Sequence, residues 1–414
     1  MPIAAGIFKQ LAYKVEATYG AAPGQTGGQS LRRVQSTLDL AKDTYQSNEL
    51  RTDLQVADFR HGVRKVSGNI QGELSPATYK DFFASMLKRD FAAVAAISGQ
   101  TVTIGAPASG VYPFTLGGGN LLTGGFKVGM IIRLSVGAFN AANLNKNIMI
   151  TAIGSATTFS GFSVNGVALA AEGPIATSTV TVVGKSTYVP TSGHTDKSFS
   201  VEHWYSDIAQ SEVFSGVKFG QCAIDLPPTG LATINWTAMG QDLLDTSAKR
   251  GGVAPTTQYF TTPTSQTTSA SLASVNGVVR VGGASVATLT GLSIQMAANF
   301  TGEAVVGSNT VPNQFPGRVV VTGQATMYFD VATTRDAFVN ETEVDIMCVF
   351  TTDNTALADF VSFVIPRVKF GGAGKDDGEK GIVQTLPFQA LLNIAGGSGS
   401  ATEKTTFLMQ DSLA

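Results

Sequence analysis

Alternation of apolar and polar side chains is the feature that most limits what this chain can fold into. Four segments show it, at residues 66–74, 290–301, 318–330 and 341–350. Successive side chains of a strand point to opposite faces of its sheet, so each segment has one apolar and one polar side. The pattern therefore predicts antiparallel β-sheet. The polar sides of these segments include Ser67, Asn69, Gln71, Glu73, Gln295, Gln324, Thr326, Glu343 and Asp345.

One segment follows helical spacing instead. Its apolar residues are Tyr79, Phe82, Phe83, Met86 and Leu87. Ser75 is suited to cap the N-terminus of a helix, and Pro76 is suited to its first position. Lys88 and Arg89 follow where the helix dipole favours cations. The sequence predicts one amphipathic helix over 76–90 that packs on a sheet.

The chain carries little charge for its length. Charged residues make up 14% of its 414 residues, whereas typical soluble proteins have about 25%. A weakly charged surface favours association, which indicates a subunit that its neighbours cover. The net charge of −2 provides no general positive field for binding nucleic acid.

Uneven charge also indicates domain boundaries. Residues 92–191 hold only Lys127, Arg133, Lys146, Glu172 and Lys185 as charged residues, among short strand patterns and Gly- or Asn-rich turns. This predicts a small all-β domain over 93–190, inserted between two parts of a main domain, 1–92 and 191–395. The Gly- and Ser-rich stretch near the end predicts a flexible linker and a C-terminal arm over 396–414.

Residue types that support catalysis or metal binding form no recognisable motif. The histidines, His61, His194 and His203, lack the spacing of a metal site. Segment 371–376 contains glycines and a lysine but not the other positions of a phosphate-binding loop. The acidic turn 376–379 lacks the alternating ligands of a calcium loop, so a solvated turn is the favoured interpretation. The sequence predicts a non-enzymatic protein without a cofactor.

Membrane and secretion signals are also missing from the pattern. The first residues lack the apolar region of a signal peptide, and no stretch has the roughly 18 apolar residues of a membrane helix. Cys222 and Cys348 lie far apart in the sequence, which is typical of a protein in a reducing compartment. We expect a soluble protein made in a cytoplasm.

Three parts of the chain carry a family resemblance. The polar segment 45–64 leads directly into the strand pattern 68–74 and the helix 76–90, and the other two parts are 198–243 and the closing strand series 287–392. Together they resemble the major tail tube protein of long-tailed (siphovirus-type) bacteriophages. The resemblance implies a mainly β subunit, a β-sandwich or barrel with one flanking α-helix, and it makes the inserted all-β domain a decoration.

The resemblance also implies an assembly and its partners. Six subunits would form a ring, and rings would stack into a hollow tube that conducts DNA from the capsid to the host cell. The partners would be further copies of this chain, a tape measure protein and tail-end proteins. The tube would belong to the virion tail and would assemble in the bacterial host cytoplasm.

Such a tube allows a prediction of where the polar residues lie. Each cation that contacts phosphate adds affinity for DNA, so a lumen that lets DNA pass should lack cations. The nine polar residues named above include no cation, and we predict that they face the lumen. Segment 41–66 is long, polar and mixed in charge, which predicts an inter-ring element. Its candidate contact residues are Glu49, Arg51, Asp53, Asp58, Arg60, Arg64 and Lys65.

Three alternatives remain open at this point. A phage capsid or decoration protein would show a long helix in its core. A carbohydrate-binding β-sandwich of a cell surface would need a secretion signal and exposed aromatic residues, but Trp204 and Trp236 lie in alternating, strand-like segments. A tail enzyme that degrades polysaccharide would need a pair of carboxylates in a groove and a repeat architecture.

Overall fold

A computed structural model describes residues 3–330, 332–376, 379 and 381–414. The described chain is mainly β, as the alternation predicts, and its two α-helices have seven residues each. It contains a large antiparallel sheet system and a small closed barrel. No described helix is long and apolar enough to cross a membrane.

The elements fall into three groups along the chain. The first group is β1 (Lys9–Val15), β2 (Gln29–Ser30), β3 (Gln35–Ser36), β4 (Asp39–Gln46), β5 (Phe59–Glu73) and α1 (Lys80–Met86). The second group is β6 (Ile97–Ile104), β7 (Tyr112–Leu116), β8 (Ile131–Ser135), β9 (Ile148–Ile153), β10 (Thr158–Ser163) and β11 (Glu172–Val182). The third group is β12 (Lys185–Tyr188), β13 (Phe199–Tyr205), β14 (Gln210–Leu226), β15 (Thr233–Gly240), β16 (Asp242–Leu243), β17 (Gly277–Val281), β18 (Ala284–Ser285), β19 (Leu289–Ala297), β20 (Val320–Tyr328), α2 (Thr333–Val339), β21 (Val344–Thr351), β22 (Phe360–Phe370), β23 (Gly374–Lys375), β24 (Val383–Ala390) and β25 (Leu408–Asp411).

The large sheet system branches where its long strands change partners along their length. One layer runs β5, β15, β14, β19, β20 and β24 in antiparallel order. The first half of β14 pairs with β13, and β13 pairs with β1. The first part of β22 pairs with β21 and β25, whereas its last residues pair with β24. Strands β14 and β22 therefore connect this six-stranded layer to the strands outside it.

Aromatic side chains fill the space between α1 and these strands. The ring of Phe82 on α1 lies 3.9 Å, centre to centre, from that of Phe219. The ring centre of Phe83 lies 4.9 Å from that of Trp236, and the two ring planes are inclined at 74°. These side chains are almost fully buried, and each large buried aromatic contributes several kcal/mol, about 3–5 on truncation to Ala. The helix is thus part of the main core.

The helix is shorter than the segment 76–90 predicted from spacing. Its apolar residues are buried as expected, but Ala77 and Lys88 have positive φ values of 64° and 59°. A residue in this left-handed region cannot continue an α-helix. The Ser75 hydroxyl contacts the Thr78 hydroxyl at 2.6 Å and does not cap the helix. The Ala77 N–H instead donates to the Asp411 carboxylate at 2.8 Å.

The inserted all-β unit is a closed six-stranded barrel in the order β10, β7, β6, β11, β8, β9. Its strands span residues 97–182, so β12, which lies within the predicted range 93–190, belongs to the large sheet system instead. The barrel does not pack independently. Its core also includes side chains of β21, β22 and β25, namely Met347, Val349, Phe360, Val364 and Leu408.

The C-terminal segment differs from the flexible linker and arm expected over 396–414. Strand β25 lies between β12 and β22 and pairs with both. Phe407 and Met409 are buried in the main core and Leu408 in the barrel core. The Gly- and Ser-rich stretch before it is a folded loop, because the buried Lys127 ammonium donates to the carbonyls of Gly397 and Ser400. Burial of this apolar strand outweighs the flexibility that the loop composition indicates.

Candidate functional site

Seven of the nine predicted lumen residues share one face of the layer β5–β24. Residues directly opposite on paired strands project to the same side of a sheet. The pairing places two rows across the six strands, and the members of each row share that side. The rows are Gln71, Asn235, Ala223, Gln295, Thr322 and Gln389, and Glu73, Thr233, Asp225, Ser293, Gln324 and Pro387. Ser67, Asn69 and Thr326 lie on the same face by alternation. We call this surface the polar face.

The opposite side of the same strands is core. The row beside Gln71 consists of the apolar side chains Ile70, Trp236, Cys222, Met296 and Val321, all nearly fully buried. Six strands at a spacing of about 4.8 Å give the polar face a width of about 24 Å. The sheet therefore presents a broad polar surface that is backed by a rigid apolar layer.

The polar face has few charges, and the one at its centre is negative. Asp225 lies on the interior strand β14, whereas Glu73 lies at the end of the outermost strand β5, where the Ser271 hydroxyl donates to it at 2.6 Å. Two lysines lie at its margins. Lys65 pairs with Asp43 at 2.8 Å, and Lys369, opposite Gln389, pairs with Glu341 at 3.3 Å. Both marginal cations are thus matched by carboxylates.

Glu343 and Asp345 do not join the other seven candidates. They lie at the start of β21, and Met347 further along the same side packs into the barrel core. Glu343 pairs with Arg367 at 2.6 Å. Burial raises the pKa of Asp345 above its ordinary value. Alternation shows which residues share one side of a strand, but it does not show which layer holds the strand. Glu343 and Asp345 therefore lie on the surface beside the barrel and not on the polar face.

Sequence reasoning missed half of the polar face. Gln221, Ala223 and Asp225 of β14 and the residues Thr233, Asn235 and Thr237 of β15 are central to it. The alternation of β15 with Ile234, Trp236 and Ala238 was visible in the sequence. Strand β14 was harder to recognise because buried polar residues, such as Ser215 and Lys218, interrupt its pattern.

The segment 41–66, predicted as an inter-ring element, is mostly a β-hairpin. Strand β4 pairs with the first half of β5 from Asp39 opposite Ser67 to Gln46 opposite Phe59. Strand β5 pairs with β15 only from Val66 onwards. The seven residues 59–65 therefore extend beyond the layer by about 23 Å, at about 3.3 Å per residue. We call residues 47–58, which connect the two strands, the hairpin tip.

The predicted inter-ring residues divide into two groups. At or beside the tip, Arg51 pairs with Asp53 at 2.7 Å and Arg60 with Asp58 at 2.6 Å, and all four side chains are exposed. Glu49 is exposed as well. At the base, Lys65 pairs with Asp43.

Arg64 faces the body of the subunit and not an outside surface. Its guanidinium lies 2.5 Å from the Asp242 carboxylate and 3.3 Å from that of Asp245, and its side chain is nearly buried. Arg64 therefore anchors the base of the hairpin, and the structure removes it from the residues available for contact with another subunit.

Apolar residues of the tip were not predicted as contacts. Leu50 is 103% exposed and Leu54 is 96% exposed, and Val56, Phe59 and Tyr45 are also largely exposed. A contiguous exposed apolar surface marks an interaction site in soluble proteins. The signal in the sequence was the recurrence of apolar residues at 50, 54 and 56 inside a polar segment.

The remaining candidates from the sequence make contacts within the subunit. His203 is buried, its Nε2 lies 2.8 Å from the Ser36 hydroxyl, and burial lowers its pKa well below the ordinary value. No group of three metal-ligating side chains occurs among the residues that the structure describes. In the acidic turn 376–379, residues 377 and 378 lie outside the described residues, and the Val383 N–H donates to Asp376 at 2.6 Å.

Comparison with known proteins adds one finding. A family model described as "Phage tail tube protein" matches residues 9–390, which include the polar face, the hairpin and the inserted barrel. A search of curated proteins finds no match.

Proposed function

The chain belongs to the phage tail tube protein family, so it is a structural subunit of a phage tail, and from this premise we propose that it forms the DNA-conducting tube of a siphovirus-type tail. Six subunits would close into a ring, and rings would stack with the polar faces lining a common lumen. Assembly would take place in the bacterial host cytoplasm. A tape measure protein and tail-end proteins would be the other partners.

The polar face is the observation that carries this proposal. Its strands have a core on one side and, on the other, mainly Gln, Asn, Ser and Thr side chains. When sheets of neighbouring subunits lie side by side, their strands form a barrel wall without exposed edges. A polar surface about 24 Å wide would form one sector of such a wall.

Electrostatics support passage of DNA without retention. Glu73 and Asp225 repel phosphate, and Lys65 and Lys369 are matched by carboxylates. Repulsion acts over the Debye length, about 8–10 Å at physiological salt. Each unmatched cation on the wall would instead release counterions from DNA and add affinity that depends steeply on salt.

A charge substitution tests the lumen assignment. We expect the variant Gln71→Lys, Gln295→Lys and Gln324→Lys to form tubes, because all three side chains are exposed. The tubes should then retain short double-stranded DNA, with binding that weakens steeply as salt rises. The matched control is Gln210→Lys, another exposed glutamine that lies outside the polar face.

The outcomes of this test are distinct. Retention by the triple variant and not by the control supports the lumen assignment. Equal DNA binding by both variants contradicts it. Electron microscopy of the wild-type protein tests the assembly itself, for which hollow tubes of six-fold symmetry are expected, and strict monomers at high concentration would contradict it.

The hairpin tip is the element proposed to join stacked rings. Its exposed leucines are unfavourable in water and become favourable when a neighbour covers them. Replacing residues 47–58 with Asn-Gly tests this role, because Gln46 and Phe59 are directly paired and a two-residue turn can connect them. The variant should fold and remain unstacked, and normal tubes formed by it would contradict the role of the tip.

For the inserted barrel we propose a decorating position outside the tube wall. It packs on side chains of β21, β22 and β25, none of which belongs to the six strands of the polar face. Glu343 and Asp345 lie on this barrel-bearing surface, so we do not assign them to the lumen.

A further inference from the structure

A groove opens at the end of β5 opposite the hairpin tip. It has a volume of about 700 Å³. Its walls come from the N-terminal segment, the stretch around β2 and β3, and the last residue of β5. The lining residues that matter here are Ile7, Lys9, Arg32, Arg33, Val34 and Glu73. We call it the cationic groove.

The three cations of this groove have only neutral hydrogen-bond acceptors. The Lys9 ammonium donates to the Ser36 carbonyl at 2.9 Å, and Arg32 donates to the carbonyl of Ser269 at 2.5 Å. Arg33 donates to the carbonyl of Lys9. Among the ion pairs of the described residues, none includes Lys9, Arg32 or Arg33.

The charge of the groove is therefore largely unmatched within the subunit. Burial and the neighbouring Arg33 lower the pKa of Lys9 to about 8, against weaker opposing effects of Glu212 and Asp39. Glu73 is the carboxylate among the lining residues, and it accepts a hydrogen bond from Ser271. A groove with three cations and one carboxylate favours a negatively charged occupant. Its exposed rim is apolar, with Ile7 and Val34.

The hairpin tip has the complementary properties. It carries the exposed leucines Leu50 and Leu54. The pairs Arg51–Asp53 and Arg60–Asp58 cancel their charges, and Glu49 remains without an ion pair among the described residues. The tip thus offers apolar side chains and one excess carboxylate to a groove with an apolar rim and excess cations.

The positions of tip and groove suit a stack. Strand β5 runs from Phe59 beside the tip to Glu73 in the groove, and its fifteen residues span about 46 Å at about 3.3 Å per step. A head-to-tail assembly needs two different, complementary surfaces that face in opposite directions. Tip and groove are such a pair, located at the two ends of one strand.

We propose that the cationic groove of each subunit receives the hairpin tip of the next copy of this chain along the stack. Glu49 then lies among Arg33, Arg32 and Lys9, and the tip leucines cover Ile7 and Val34. The inference rests on the proposed stacking of subunits and names the surface that receives the tip.

Charge reversal in the full-length chain tests this pairing. Arg33→Glu and Glu49→Arg should each raise the lowest concentration that supports tubes, about tenfold or more, because each places like charges in contact. The double variant contains both reversals at every junction, so opposite charges meet again. The lowest concentration that supports tubes should return to within about threefold of the wild-type value. Its recovery also shows that Arg33→Glu does not prevent folding.

Disulfide trapping gives an independent measurement. Cys222 and Cys348 are buried, so oxidation of assembled tubes with diamide should affect introduced cysteines. The variant Leu50→Cys with Val34→Cys should give a ladder of linked chains on a non-reducing gel. The control variant combines Leu50→Cys with Val306→Cys, because the side chain of Val306 is 106% exposed. Val306 lies in the loop whose Asn309 carbonyl accepts from the Arg64 N–H at the hairpin base.

The results separate this inference from the function on which it rests. Wild-type tubes together with normal assembly of both single variants would overturn the groove assignment while the tube function stands. A ladder with Val306→Cys and not with Val34→Cys would also overturn it. If Arg33→Glu lowered DNA binding and left assembly unchanged, the groove would serve nucleic acid and the inference would fail. Wild-type chains that never form tubes would refute the proposed function itself.

Discussion

Replacement of Asp196 by Asn should destabilise the subunit strongly, because this carboxylate compensates two buried cations. Its oxygens lie 3.0 Å from the Lys88 ammonium and 2.5 Å from the Lys218 ammonium. The two lysine side chains are 4% and 2% exposed, and that of Asp196 is 40% exposed. Lys218 also donates to the Gln314 carbonyl at 2.7 Å. The cluster thus connects the turn after α1, the loop that precedes β13, strand β14 and the loop that precedes β20.

The magnitude follows from what Asn cannot supply. Removing one partner of a buried ion pair costs about 3–5 kcal/mol. Water can reach Asp196 and partly replaces its charge, so we expect a loss of about 2–3 kcal/mol in the free energy of unfolding. Asp43→Asn is the matched control, since it breaks the exposed pair with Lys65, and it should leave the unfolding midpoint unchanged.

The effect should depend on pH in a defined direction. Partial burial acts to raise the pKa of Asp196, but hydrogen bonds from Lys218 and Lys88 outweigh it and hold the pKa below the ordinary 3.8. The stabilisation is therefore present above pH 3.8 and is lost as the pH falls through the lower folded value. The difference between wild type and Asp196→Asn should persist at pH 5–7 and disappear in stronger acid.

Urea unfolding followed by the fluorescence of the buried Trp236 measures this difference. The chains should carry the Asn-Gly replacement of residues 47–58, so that assembly does not mask the stability of the subunit. Equal midpoints for Asp196→Asn and Asp43→Asn at pH 7 would refute the reasoning. A difference that remained unchanged in strong acid would also refute it.

Three further predictions concern the core and its junctions. Burial raises the pKa of Asp411 to about 6, so its contribution to stability, up to about 3 kcal/mol, is present below pH 3.8 and is lost as the pH rises through 6. Asp411→Asn should remove this fall of the urea midpoint with rising pH. An unchanged fall would exclude Asp411 as its source. Deletion of 406–414 removes β25 from both cores and should give insoluble protein in expression trials, whereas a soluble, cooperatively unfolding product would show that the strand is dispensable. A Cβ on Gly68 would lie 2.5 Å from the Thr37 carbonyl oxygen, so Gly68→Ala should cost about 1–3 kcal/mol in urea unfolding; Gly24→Ala, with open space around it, is the control, and equal midpoints for the two would contradict the expected clash.

The candidate site could be predicted where local pattern and tertiary position agree. The alternation of residues 66–74 predicted one exposed and one buried side for β5, and both are observed. The same rule placed Glu343 and Asp345 on a solvated side of β21, but further along the strand that side packs into the barrel core. Membership of a layer depends on pairing between strands that are distant in sequence, and no local pattern contains that pairing.

The ends of the helix show the same limit. The spacing of Phe82 and Phe83 identified a buried helical face, because that face is a local property of the sequence. The carboxylate that binds the Ala77 N–H belongs to Asp411, more than three hundred residues away. That contact lies where the chain has left helical geometry, and the sequence near Ser75 gave no sign of it.

By itself the sequence determined the β class, the apolar side of its strands and helix, and the concentration of mixed charge in the hairpin, since all three depend on residue type and short spacing. Only the tertiary structure decided that β25 completes two cores. It also decided that six strands join their polar sides into one surface, and that the hairpin tip and the cationic groove lie at opposite ends of β5. The physical reason is that burial and strand register are set by partners far apart along the chain, and these partners meet only when the chain folds.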